Sequence, residues 1–110
     1  MSVVINVHYE GDDGAARAFV DDVVSEGLLE AVRSEDGCQG YEYYASLEDP
    51  GRILLVEHWR DEVSLEAHIA AENLAHIEAL KERHGVVGRV ERFAVRTGDE
   101  KGGRGRTPRP

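Results

Sequence analysis

Residues 57–68 constrain the fold most: Glu57-His58-Trp59-Arg60-Asp61-Glu62-Val63-Ser64-Leu65-Glu66-Ala67-His68. They read as the end of a buried strand, a capped turn and the start of an amphipathic helix. Asp61 is the expected N-cap, with Glu62 in the first turn beside the positive end of the helix dipole. Upstream, Val3, Ile5, Val7 and Tyr9 alternate with Val4, Asn6 and His8, a strand with apolar residues on both faces. Gly11-Asp12-Asp13-Gly14 is a turn expected to cap a first helix. Phe19, Val20, Val23 and Val24, then Leu28, Leu29 and Val32, carry that helix, and Gly27 is expected to kink or divide it before Asp36-Gly37 ends it.

The aromatic segment Gly40 to Leu47 and the segment Arg52 to Trp59 flank the turn Glu48-Asp49-Pro50-Gly51, so they are expected to pair as a hairpin. Leu65, Ile69, Ile77 and Leu80 mark one face of a single second helix, which Gly85 stops. Val86 to Arg96 is the fourth strand. The order β-α-β-β-α-β is that of a split, ferredoxin-like α+β fold. Helices on one face of such a sheet leave the other bare, yet the strands are apolar on both. A second sheet from a homodimer is the simplest cover, giving a dimeric α/β barrel.

One domain accounts for residues 1–96. The remainder, 97–110, is a Gly/Arg/Pro tail with no apolar residue to bury, expected to be disordered. The formal net charge is -9. The tail holds four basic and two acidic residues, so the body before it carries -11. An acidic body repels phosphate backbones, which argues against nucleic acid. No apolar run approaches the ~20 residues of a membrane span. The N-terminus enters a strand pattern without a basic leader, and one cysteine, Cys38, cannot form an internal disulfide. Both suit a cytoplasmic protein.

Gly37-Cys38-Gln39-Gly40-Tyr41 and Val56-Glu57-His58-Trp59 through Leu65-Glu66-Ala67-His68, in this order of elements, resemble the antibiotic biosynthesis monooxygenase family of dimeric α+β barrels. Glu26-Gly27-Leu28, Arg33-Ser34-Glu35-Asp36-Gly37, Tyr41-Glu42-Tyr43 and Val90-Glu91-Arg92-Phe93 look close to a bacterial subgroup of candidate quinol monooxygenases. The resemblance implies a ligand site between sheet and helices. It places Trp59 and Asn6 there as ring-positioning residues, with His8 on the face of Asn6. If Trp59 faces the cavity, alternation puts Leu55 and Glu57 beside it and His58 on the dimer side. Trp59 as pure core packing is the competing reading.

His68, Glu72 and His76 stand at successive i, i+4 steps, forming one ridge if the helix is continuous. A carboxylate between two imidazoles can hold a base ready near neutral pH; a surface charge ladder is the alternative. His68 matches a histidine of the quinol-monooxygenase-like relatives. Tyr43 is a candidate hydrogen-bond donor to a substrate oxygen. Cys38 reads as an idle thiol. No metal is expected, because His68 and His76 would stand about 12 Å apart along a helix. No flavin, nicotinamide or phosphate fingerprint is present, so no cofactor is expected. The heme-degrading and anthrone-oxidising branches fit less well: the heme-ligating histidine of the former aligns near Glu78, and an asparagine and a tyrosine of the latter align with Leu55 and Leu65.

The expected function is a cofactor-independent monooxygenase oxidising a small aromatic quinol-like substrate with O2. His68 or His8 would be the base, Asn6 and Trp59 would position the ring, Glu57 would orient a histidine, and Tyr43 and His76 would line the site. A non-catalytic dimer binding a small hydrophobic ligand, or an isomerase on the same fold, are the alternatives.

Overall fold

The computed structural model describes residues 1–96; the tail assigned to 97–110 lies outside the described residues. The elements are β1 (Ser2–Glu10), α1 (Ala15–Ser25), α2 (Leu28–Arg33), β2 (Cys38–Ala45), β3 (Arg52–Trp59), α3 (Glu62–Ile69), α4 (Glu72–Arg83) and β4 (Val87–Val95). The four strands form one antiparallel sheet in the order β2-β3-β1-β4. This is the ferredoxin-like α+β fold expected from the pattern of elements.

The sheet register decides which side chains meet. Ile5 pairs with Glu57 and Val7 with Leu55, while Tyr41 pairs with Glu57 and Tyr43 with Leu55. Directly paired residues share a face. Val3, Ile5, Val7, Tyr9, Ile53, Leu55, Glu57 and Trp59 are all buried, so theirs is the helix-covered face. Phe19, Val23, Val32 and Ile77 reach it from the helices and are fully buried. The other face carries Val4, Asn6, His8, Leu54, Val56, His58 and Phe93. Phe93 and Tyr44 there are about half exposed.

Gly27 divides the first helix. It adopts φ 79°, a left-handed conformation that costs a residue with a Cβ roughly 1–2 kcal/mol, and its carbonyl accepts from Ala31 N at 3.0 Å to open α2. The expected side-chain cap of α1 is absent: Gly14 is the N-cap with no side-chain hydrogen bond. The backbone carbonyl of Asp12 takes the Ala15 N–H instead, at 2.8 Å. The Asp61 cap forms as expected, its carboxylate accepting from Ser64 N at 2.8 Å.

The second helix is not continuous. It breaks at Ala70-Ala71, where Ala71 is extended (φ -80°, ψ 153°) and caps α4 without a side chain. Neither glycine nor proline marks this point. The break turns α4 so that Ile77 and Leu80 bury, while Ile69 at the end of α3 is exposed. The expected stripe of Leu65, Ile69, Ile77 and Leu80 is therefore two separate faces. Among the described residues no helix is long and apolar enough to cross a membrane.

Candidate active site

A cavity of about 250 Å³ lies between the sheet and α3–α4. Ile5, Val7, Leu65, Leu74 and Val90 make it largely apolar; Tyr9, Tyr41, Glu57 and His68 supply polar groups, and the charged Glu78, Lys81 and Arg92 also line it. Burial raises the phenols of Tyr9 and Tyr41 well above their ordinary value, so both stay neutral and can donate a hydrogen bond.

His68 is the centre of this group and is 3% exposed. Its Nδ1 lies 2.8 Å from Glu35 Oε1, and its Nε2 lies 3.9 Å from Glu57 Oε1. The Trp59 indole stacks on the imidazole, centroids 4.5 Å apart and planes 27° apart. Tyr41 meets it edge-on at 5.9 Å. Trp59 Nε1 donates to Glu57 Oε1 at 2.9 Å, and Asn73 Nδ2 donates to Glu35 Oε2 at 2.9 Å. Burial pushes the Glu57 carboxyl above its ordinary value; the Trp59 hydrogen bond and the charge of a protonated His68 oppose this without cancelling it. One imidazole thus stands between two carboxylates, one in the cavity wall and one behind it.

The structure places the expected residues unevenly. Glu57, Trp59 and His68 are together, on the face that alternation assigned to Glu57 and Trp59. Trp59 is wholly buried and packs behind His68, and it is Glu57 and His68 that line the cavity. Asn6 and His8 fall on the opposite face, since Asn6 pairs with Val56 and His8 with Leu54. They are separated from His68 by the sheet, and His8 Nε2 is occupied by Glu91 Oε1 at 2.7 Å.

His76 is exposed on α4 and does not line the cavity, because the break at Ala70-Ala71 ends the ridge that would have joined it to His68. Tyr43 packs edge-on against Tyr41 at 6.0 Å. Its hydroxyl is buried, and burial raises it to about 12 against an opposing interaction with the Tyr41 hydroxyl. It does not line the cavity. Burial also raises the Cys38 thiol, which keeps it protonated and unreactive.

Glu35 and Asn73 are the residues that the sequence did not single out. Glu35 follows α2 in the connection to β2, 33 positions before its partner His68, and no local spacing signals such a pair. Asn73 enters the first turn of α4 only because of the helix break. Among the described residues, no three His, Cys, Asp or Glu side chains are arranged to hold a metal ion.

Comparisons with known proteins agree on the fold. The Mycobacterium tuberculosis protein Rv0793, named as a candidate monooxygenase, is 35% identical over 54 residues, so the chain spans about half the length of this curated relative, 48% of it against 49% of this chain. Its solved structure covers 86% of this chain and 95% of its own, at 23% identity and a TM-score of 0.71. A conserved protein from Methanosarcina mazei gives a TM-score of 0.75 at 22% identity, covering 87% of this chain and 94% of its own. SnoaB, a cofactor-independent oxygenase from Streptomyces nogalater, superposes in a point-mutant form with a TM-score of 0.70 at 15% identity, over 87% of this chain and 94% of that one. At these identities the structures speak for the fold. The sequence match is more specific: residues 2–83 fit the family described as antibiotic biosynthesis monooxygenase, and with about three-quarters of its length so matched the chain belongs to that family.

Proposed function

We propose that the protein is a cofactor-independent monooxygenase that oxidises a small aromatic quinol-like substrate with O2. The observation that carries this reading is His68, a buried imidazole in the wall of an apolar cavity with a carboxylate on either side. Such a site suits removal of a phenolic or activated C–H proton. A base there contributes typically ~10²–10⁴-fold, and an apolar wall withholds the water that would quench a reactive anion.

The electron-rich anion then reduces O2 without a helper. One electron passes to O2, the radical pair combines to form a C–O bond, and the peroxide loses water. A hydroquinone and one O2 become a hydroxyquinone and one H2O, with the ring as reductant. His68 Nε2 takes the first proton and returns it to the departing oxygen. Glu57, whose proton burial makes harder to lose than that of an exposed carboxyl, is the second proton carrier in the cavity wall. The description of SnoaB as a cofactor-independent oxygenase supports the reading by analogy of fold.

The test is O2 uptake with a panel of naphthoquinols and anthrones, autoxidation subtracted and no metal or flavin added. Saturable uptake that falls in His68→Ala is expected; flat traces across the panel overturn the reading. A second reading, a binding protein without turnover, is favoured by Trp59, which is packed away from the cavity. It predicts quenching of the single tryptophan's fluorescence by the same compounds with no O2 consumed. We propose further that the chain works in the cytoplasm as a homodimer, joined through the sheet face that carries Val4, Leu54, Val56 and Phe93.

A further inference from the structure

We propose that Glu35, braced by Asn73, is the positioning residue of the site: it holds His68 as the Nδ1–H tautomer and so leaves the Nε2 lone pair facing the cavity. The inference rests on the reading of His68 as the base, and it assigns to Glu35 the orienting role that the sequence suggested for Glu57.

Three observations carry it. First, the contacts of the two imidazole nitrogens differ. Nδ1 is within hydrogen-bond reach of Glu35 Oε1 at 2.8 Å, whereas Nε2 is 3.9 Å from Glu57 Oε1, beyond that reach. A carboxylate accepts, so Nδ1 carries the proton of the neutral ring and Nε2 is left basic. Second, Glu35 is itself held. Its other oxygen accepts from Asn73 Nδ2 at 2.9 Å, its N–H donates to Val32 O at 2.9 Å and its carbonyl accepts from Cys38 N at 3.1 Å. Third, the ring cannot easily turn to exchange its nitrogens, because Trp59 covers one face and Tyr41 abuts it edge-on. The indole also gives its only donor to Glu57, which keeps that carboxylate from displacing Glu35.

His68 separates two spaces. On one side is the apolar cavity; on the other is a surface depression of about 230 Å³ lined by Glu35, Asp36, Arg60, Ser64 and Ala67. Glu35 therefore acts from the solvent side and does not touch a substrate in the cavity.

The experiment is long-range 1H–15N correlation on histidine-labelled protein at a pH where the imidazoles are neutral, with His68 assigned by the signal lost in His68→Gln. The expected wild-type pattern is protonated Nδ1 and bare Nε2. Glu35→Gln is expected to give a mixture of tautomers, since an amide can donate as well as accept, and Asn73→Ala a smaller change in the same direction. On whichever quinol the wild type turns over, Glu35→Gln is expected to lower kcat about 10- to 100-fold, within the ~10²–10⁴-fold that a base supplies, with KM nearly unchanged.

A wild-type His68 found as the Nε2–H tautomer overturns the proposal, as does a Glu35→Gln protein with an unaltered tautomer and unaltered kcat. If Glu35→Gln does not fold, the wild-type and Asn73→Ala spectra still decide it: an unchanged Nδ1–H pattern in Asn73→Ala removes the brace. The spectra need no substrate, so failure of the monooxygenase reading shows in the O2 traces alone.

Discussion

The Trp59 indole N–H donates to Glu57 Oε1 at 2.9 Å, joining two buried residues two positions apart on one face of β3. Each answers a need of the other. A buried indole seeks an acceptor, and a buried carboxyl seeks a donor.

Glu57 makes stability depend on pH. Its folded value is raised, chiefly by burial, so the native state binds the proton more tightly than the unfolded chain does. The stability it contributes is fully present below the unfolded value and is lost as pH rises through the folded one. Glu57→Gln keeps an acceptor for Trp59 and removes the titration. It is expected to melt near the wild type at pH 4 and above it at pH 8, by roughly 4–8 °C for each kcal/mol recovered. Equal melting differences at both pH values in a calorimetric series would contradict this.

Trp59→Phe separates the ring from its donor. It preserves an aromatic layer under His68 but leaves the Glu57 oxygen without its partner, a loss of about 1–3 kcal/mol. Trp59→Ala removes the layer as well and is expected to cost about 3–5 kcal/mol. Urea titration distinguishes them, and in a Glu57→Leu background, which has no acceptor to orphan, the Phe substitution should cost less.

Two glycines at similar φ make an internal comparison. Gly27 (φ 79°) has open space where a Cβ would stand, while at Gly37 (φ 85°) the Cβ would collide with the Ser64 side chain. Gly27→Ala is expected to cost about 1–2 kcal/mol of backbone strain. Gly37→Ala adds an overpacking penalty of about 1–3 kcal/mol and pries α3 from the β2 entrance. Similar unfolding midpoints for the two variants would refute the collision.

The proposed dimer has a direct test. Val56 sits on the face away from the helices, paired with Asn6 and Glu42. Light scattering of the wild type at micromolar concentration is expected to give twice the chain mass. Val56→Lys is expected to give a folded monomer. A monomeric wild type sinks the proposal.

Much of the fold was legible because its signals are local. Alternation along β1 and β3, the turn at Asp49-Pro50-Gly51, Gly27 and the Asp61 cap each act within a few residues, and alternation put Leu55, Glu57 and Trp59 on one face. The side of Asn6 was not legible, because β1 is apolar on both faces and period two alone does not choose between them. The pairing of Ile5 with Glu57 chooses. The break at Ala70-Ala71 was not legible either, since alanine favours helix and tertiary packing overrides that preference. Glu35 escaped for a third reason: its partner lies across the molecule, and a long-range hydrogen bond leaves no periodic trace.

The Glu35–His68 contact joins the first β-α-β half of the chain to the second, tying the α2–β2 connection to α3. The atoms held there for chemistry are therefore also a clasp between halves, and a change to them would loosen the fold along with the site. Adaptation to a new substrate has an easier route through Ile69, Leu74 and Val90 in the cavity wall, whose side chains take no part in that contact. Relatives of this chain should accordingly differ in what they admit on that wall while keeping the clasp.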